Sequence, residues 1–152
     1  MSFTTEVKEE LSRVEPTCSH CDAATLAALI RIEGSIFFNG PGKFRLEIST
    51  DVPQVARFII RTLHSRYALK TDLTMRRSVL HKTPNWLIEV PTQPRLTEAL
   101  FDLGIIGEEG LKRGIDPRLV QKSCCASAYL RGVFLGSGFI SNPRGDFHFE
   151  LT

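Results

Sequence analysis

Apolar residues recur at helical spacing from the start of the chain, where Phe3, Val7, Leu11 and Val14 fall on one stripe and predict an amphipathic helix over 3–14. A denser apolar run from Ala23 to Ile32 predicts a second helix, with Asp22 as its N-cap and Gly34 just past its end at Glu33. The period then changes to two. Phe44, Leu46 and Ile48 alternate with Lys43, Arg45, Glu47 and Ser49, a strand over 43–50 with the apolar set inward. A strand over 35–39 precedes it, joined through the turn Asn39-Gly40-Pro41-Gly42. Helical spacing returns at Val52, Val55, Ala56, Ile59, Ile60 and Leu63, so Asp51 and Pro53 open a helix reaching Tyr67. Strands follow at about 70–78 and 85–91, the latter with Trp86, Ile88 and Val90 inward. A short helix over 94–103 ends at Gly104, and the charged, glycine-rich stretch 104–122 contains a helix start at Asp116-Pro117. Helix, hairpin, helix, hairpin, helix predicts an α+β fold, with helices segregated to one face of an antiparallel sheet.

The chain also repeats itself. At an offset of 104, Ser19, Cys21, Ala24, Leu26, Gly34 and Ile36 meet Ser123, Cys125, Ala128, Leu130, Gly138 and Ile140. After a one-residue deletion, Gly42, Phe44 and Glu47 meet Gly145, Phe147 and Glu150, so the repeat runs from helix into strand. Residues 1–106 read as a first half with its N-terminal helix, 107–122 as a link and 123–152 as the start of a second half. Thr152 corresponds to Ser49, so nothing matches what the first copy builds from Asp51 to about Leu103. The expectation is a pseudo-twofold repeat with an incomplete second half, whose open sheet edge is free for strand exchange with another chain. Both helices carry small residues mid-run. Ala24, Ala27 and Ala28 facing Ala128, Gly132 and Gly136 make a thin-sided seam, with Leu26, Leu29, Ile30, Leu130, Val133 and Phe134 in the core beneath.

Bulk properties narrow the picture further. The 152 residues are 42% hydrophobic, enough for one core. With 19 Lys+Arg against 17 Asp+Glu, the chain is neither a strongly basic nucleic-acid binder nor a charged disordered tail. It has no apolar run of membrane-spanning length and no signal-like start, which predicts a cytoplasmic protein. Its four cysteines are then reduced thiols or metal ligands. Cys18-x-x-Cys21 with Cys124-Cys125 supplies enough sulfurs for tetrahedral zinc. Adjacent Cys124 and Cys125, however, make a poor second knuckle. The reading taken is buried thiols without metal, with zinc and a disulfide as alternatives.

Residues 26–34, LAALIRIEG, and residues 130–138, LRGVFLGSG, resemble the signature of the LAGLIDADG homing-endonuclease fold. More specifically, MSFTTEVKEELSRV at the start, the Cys124-Cys125 pair and YLRGVFLGSGFISNP resemble the WhiA family. That resemblance implies a bacterial regulator of sporulation and cell division, associated with the nucleoid. Its DNA recognition would rest mainly on a C-terminal helix-turn-helix domain beyond Thr152. In the endonucleases each signature helix delivers one acid, and the pair holds the metals for phosphodiester cleavage. Here the equivalent residues are Glu33 and Ser137. A hydroxyl does not replace a carboxylate toward a hard cation, so no catalytic residue and no cofactor are expected, and an active nuclease is the disfavoured reading. The sheet face that would meet DNA carries Lys43, Arg45, Lys70, Arg76, Arg77 and Lys82, balanced by acids. The expectation is weak, salt-sensitive DNA contact, or a protein-interaction surface for a protein partner.

Overall fold

The computed structural model describes residues 2–77 and 84–152; Lys82 lies outside them. The chain runs α1 (Phe3–Ser12), α2 (Cys21–Glu33), β1 (Gly34–Phe38), β2 (Phe44–Thr50), α3 (Pro53–Tyr67), β3 (Asp72–Arg77), β4 (Pro84–Val90) and α4 (Pro94–Asp102). Short strands β5 (Ile106–Gly107) and β6 (Gly110–Leu111) and a 3-10 turn at Pro117–Val120 lead to α5 (Ser123–Ser137), β7 (Gly138–Ile140) and β8 (Phe149–Leu151). Among the described residues, no helix is long and apolar enough to cross a membrane.

The main sheet is antiparallel, ordered β1-β2-β4-β3. Register follows the hydrophobic pattern: Leu46 opposes Val90, Ile48 opposes Ile88 and Thr50 opposes Trp86 on the helix-covered face. Leu46, Ile48, Ile88 and Val90 are fully buried there with Leu26, Leu29, Ile59 and Leu63 of the covering helices. The edge strand β3 stays open, and Leu73 and Met75 are exposed. Burying the helix-facing side of β2 and β4 removes tens of Å² of apolar surface per residue, worth about 1.5–3 kcal/mol for each large side chain.

Helix starts and ends differ from expectation where a neighbour supplies a better partner. Asp22 does not cap α2, because the Cys21 N–H already donates to the Cys18 carbonyl and the helix begins two residues earlier, with His20 at the N-cap. Asp51 does not cap α3 either; the N-cap is Val52, whose N–H donates to the Thr50 hydroxyl. Helix α1 ends at Ser12, short of Val14, which is exposed. Pro16, two residues on, restricts Glu15 to extended backbone and closes off a longer helix. Its most buried residues are Lys8 and Ser12, one step around from the expected apolar stripe.

The most extensive packing between any two elements is α2 against α5. A Cβ built on Gly132 would run into the Thr25 carbonyl oxygen and lie 2.8 Å from the Ala28 Cβ, so the backbones approach as closely as glycine permits. The Thr25 hydroxyl, 2.9 Å from the Ala128 carbonyl oxygen, donates across the contact. Ala24, Ala27, Ala28 and Ala128 are fully buried. Leu130 is not in the core: it is 58% exposed, whereas its counterpart Leu26 is 0% exposed. The reason is coverage. In the first half α3 and the four-stranded sheet lie near α2, while residues 123–152 supply only one helix and one hairpin.

Candidate functional site

Because α2 and α5 run together, their C-terminal ends meet, and the chain leaves each helix into a strand at Gly34 and Gly138. Glu33 and Ser137 are the last residues of the two helices. Both line one cleft of about 670 Å³, together with Lys8 of α1, Asp51 before α3, and Arg76 and Arg77 of β3. Gly136 lines it as well, and a Cβ there would lie 3.0 Å from the Ile32 side chain. The Ser137 hydroxyl is spent locally, donating to the Val133 carbonyl one turn back.

The cleft is thus a mixed-charge site. Burial disfavours the charge on Glu33 and raises its pKa, an effect partly offset by Lys8 and reinforced by Asp51. Burial likewise lowers the pKa of Lys8, against the pull of Asp51 and Glu33. Sequence reasoning missed both Lys8 and Asp51. A lysine in an amphipathic helix reads as solvent-facing, and an acid before a proline-opened helix reads as a cap. Magnesium chemistry on phosphodiesters needs carboxylates gathered about the metals. Here two carboxylates share the cleft with an ammonium and two guanidiniums, a set that does not fit a pair of hard divalent cations.

The basic residues expected on the outer sheet face do not converge. Arg45 and Lys70 fall toward one end of the sheet, with Lys43 at the β1–β2 turn, while Arg76 and Arg77 sit at the other end and line the cleft. Arg45 is already engaged, 2.6 Å from the Glu47 carboxylate and 4.2 Å over the Phe37 ring. Between the two ends, register places Glu47 opposite Glu89 and Glu89 opposite Asp72. Three acids therefore stand side by side across the middle of the face; with Glu47 paired to Arg45, Glu89 and Asp72 are the ones that disfavour a phosphate backbone.

At the opposite end of the helix pair, the four cysteines come together. Cys18 lies in the turn before α2, Cys21 is the first residue of α2, and Cys124 and Cys125 fall in the first turn of α5. Cys18 Sγ is 3.6 Å from Cys21 Sγ, 3.5 Å from Cys125 Sγ and 3.6 Å from Cys124 Sγ. All four sulfurs lie within 4.8 Å of one another. Adjacency of Cys124 and Cys125 is no obstacle to this, because from the first turn of α5 both sulfurs reach to within 3.6 Å of Cys18 Sγ. Cys21 and Cys125 are buried, and Cys18 and Cys124 are partly exposed. The His20 backbone N–H, followed by the Cys125 thiol, holds the Cys18 thiol down at about 6, whereas burial pushes Cys125 up to about 12.

With the fold and cleft in view, comparisons with known proteins agree along the chain. Residues 19–106 match the family model described as the WhiA N-terminal LAGLIDADG-like domain, and residues 126–152 match the WhiA LAGLIDADG-like domain. The chain is 39% identical to the "Probable cell division protein WhiA" of Desulforamulus reducens, over 99% of this chain and 48% of that protein. It is 36% identical to the protein of the same name from Heliobacterium modesticaldum, over 99% and 48%. The chain spans about half the length of these curated relatives. In structure it is similar to full-length DUF199/WhiA from "Thermatoga maritima", with a TM-score of 0.67 at 18% identity, covering 99% of this chain and 44% of that one. It is also similar to mesophilic variants of the homing endonuclease I-DmoI, with a TM-score of 0.51 at 12% identity, covering 79% and 63%. The fold is LAGLIDADG-like, an antiparallel sheet with helices.

Proposed function

The chain belongs to the WhiA family, and on that footing we propose that it is a non-catalytic unit of a bacterial DNA-binding transcription regulator acting in cell division and sporulation. The observation that carries the proposal is the asymmetry of the two helix ends, a carboxylate at Glu33 against a hydroxyl at Ser137. The composition of the cleft supports it. Asp51 adds a second acid, but Lys8 places an amine among the carboxylates, and Arg76 and Arg77 add two cations. Sequence recognition of DNA is assigned to a C-terminal helix-turn-helix domain of the kind the family resemblance implies, in a cytoplasmic, nucleoid-associated protein.

Incubating the protein with supercoiled plasmid in magnesium or manganese tests the first part. The expected result is no nicking above background, and metal-dependent cleavage would overturn the reading. Titration with duplex DNA at low salt tests the second. Weak binding with a log–log salt slope of about −2 is expected if only Arg76 and Arg77 contact phosphates. Tight, sequence-dependent binding would move recognition onto this unit.

The acidic row Glu47, Glu89 and Asp72 favours a second use of the outer sheet face, as a contact surface for a protein partner with complementary basic charge. Reversing Glu89 to Lys would raise DNA affinity under the first reading and weaken a partner complex under the second.

A further inference from the structure

We propose that Cys18, Cys21, Cys124 and Cys125 bind one zinc ion, which staples the start of α2 to the start of α5. The geometry is that of a closed structural site. Zinc holds thiolates at about 2.3 Å, so four tetrahedral sulfurs stand about 3.8 Å from one another. Cys18 lies 3.5–3.6 Å from each of the other three sulfurs, and no pair exceeds 4.8 Å. A ligand set of four sulfurs with no carboxylate or water position selects zinc over magnesium or calcium.

Packing alone does not explain the arrangement. Cysteines acting as small apolar residues would be distributed among leucines and alanines, each meeting its own neighbours. Here all four converge on one another, from two segments more than a hundred residues apart in the chain. Nor is a single disulfide singled out, because Cys18 is nearly equidistant from three candidate partners. The surroundings suit an anionic cluster. Cys21, Cys124 and Cys125 sit in the first turns of two helices, at the positive end of each helix dipole. The His20 N–H donates to the Cys18 sulfur. Partial exposure of Cys18 and Cys124 gives the ion a way in, while buried Cys21 and Cys125 close the far side.

On binding, each thiol becomes a metal-bound thiolate and any remaining thiol protons go to solvent, so affinity rises with pH. No oxidant or reductant takes part. The site lies at the N-terminal ends of both helices, about 20 Å from the cleft at their C-terminal ends for a helix of this length. Its role is therefore structural: it fixes the helix pair at one end, independently of the chemistry assigned to the cleft.

The test is metal content in the protein purified reduced and without chelator. About one zinc per chain is expected, and replacement by cobalt(II) should give the visible bands and near-ultraviolet thiolate charge transfer of a tetrahedral thiolate site. Cys124→Ser, at a partly exposed position, should lose most of the bound metal while keeping its circular dichroism spectrum. Removing zinc from the wild-type chain should lower its melting temperature and leave that of Cys124→Ser unchanged. Folded protein with all four thiols free to a thiol reagent, no cobalt charge transfer after reconstitution and a chelator-insensitive melting temperature would overturn the proposal. So would a disulfide among the four in protein kept reduced throughout.

Discussion

The β1–β2 and β7–β8 hairpins are one design used twice. Gly34 opposite Ile48, Ser35 opposite Glu47 and Ile36 opposite Leu46 recur as Gly138 opposite Leu151, Phe139 opposite Glu150 and Ile140 opposite Phe149. Register, strand direction and the glycine leaving the helix are all the same. Burial is not. Leu46 and Ile48 are 0% exposed, whereas their counterparts Phe149 and Leu151 are 52% and 38% exposed. Local sequence sets the hairpin, through alternation and the turn, but coverage of its apolar face comes from elements far along the chain. In the first half these are α2, α3 and the neighbouring strands. In the second, α5 and a stacked Phe134–Phe149 pair cover one edge, and α1 reaches across, its Thr4 hydroxyl donating to the Ile140 carbonyl and accepting from the Ile140 N–H.

The largest expected effect exposes this difference directly. Ile48→Ala should cost about 4 kcal/mol, since it empties a site with no solvent access. Leu151→Ala, at the equivalent place, should cost less than about 1 kcal/mol. Urea midpoints at fixed slope measure both. Equal losses would mean that the second hairpin is buried in solution by something beyond the chain's own elements.

The helix contact that joins the halves comes next. Gly132→Leu should cost about 3 kcal/mol, because the Thr25 carbonyl is backbone and cannot rotate away. Gly136→Ala should be milder, since the atoms it meets are side-chain carbons of Ile32 and Glu33 that can shift a few tenths of an ångström. A thermal melt of each variant orders them. If Gly132→Leu melts with the wild type, the helices do not approach as closely as described.

How much of this was open to sequence reading follows from the same contrast. The α+β element order, the β2 alternation and the offset of 104 were legible because helices, strands and repeats leave periodic marks. Glu33 and Ser137 as equivalent helix-end positions followed from the resemblance to the LAGLIDADG signature laid over the repeat. What stayed hidden depends on contacts between distant segments. Leu130 carries the same signature as Leu26, and what separates them is that, among the described residues, α3 and the four-stranded sheet lie over the first helix and not the second. Lys8 and Asp51 enter the cleft because α1 and the β2–α3 junction pack beside the helix ends, which no local pattern records. The cysteines were visible as a list, but the turn that brings adjacent Cys124 and Cys125 to one point was not.

A smaller effect tests the joint between the halves. Asp116 lies before α5 with its side chain only 4% exposed, 2.9 Å from Arg118 and 3.1 Å from Lys112. Hydrogen bonds from Arg118 hold its carboxyl far below the usual carboxylate range. A depressed folded pKa contributes stability that is fully present above the unfolded value of about 3.9 and is lost as pH falls below it toward the folded pKa. Asp116→Asn should therefore cost about 1.5 kcal/mol at pH 7, with the gap to wild type narrowing below about pH 4. A gap that stays constant down to pH 2 would assign the loss to shape rather than charge.

The smallest effect separates the two helix ends themselves. Ser137 carries no charge, whereas Glu33 bears one that burial disfavours, so its pKa stands above the ordinary value. For an acid the sign is then the reverse of Asp116. The folded state binds the Glu33 proton more tightly than the unfolded chain does, so stability falls as pH rises from about 4.3 through the folded pKa. Glu33→Gln removes that decline. Its stability should match the wild type at pH 4 and equal or exceed it by a few tenths of a kcal/mol at pH 7, the small size reflecting the offset from Lys8. Ser137→Ala, with no charge to lose, should show no pH-dependent difference. If Glu33→Gln instead fell clearly below the wild type at pH 7 while matching it at pH 4, the Lys8–Glu33 attraction would outweigh the cost of burying the carboxylate. The cleft would then be an ion-paired core held by its own charges.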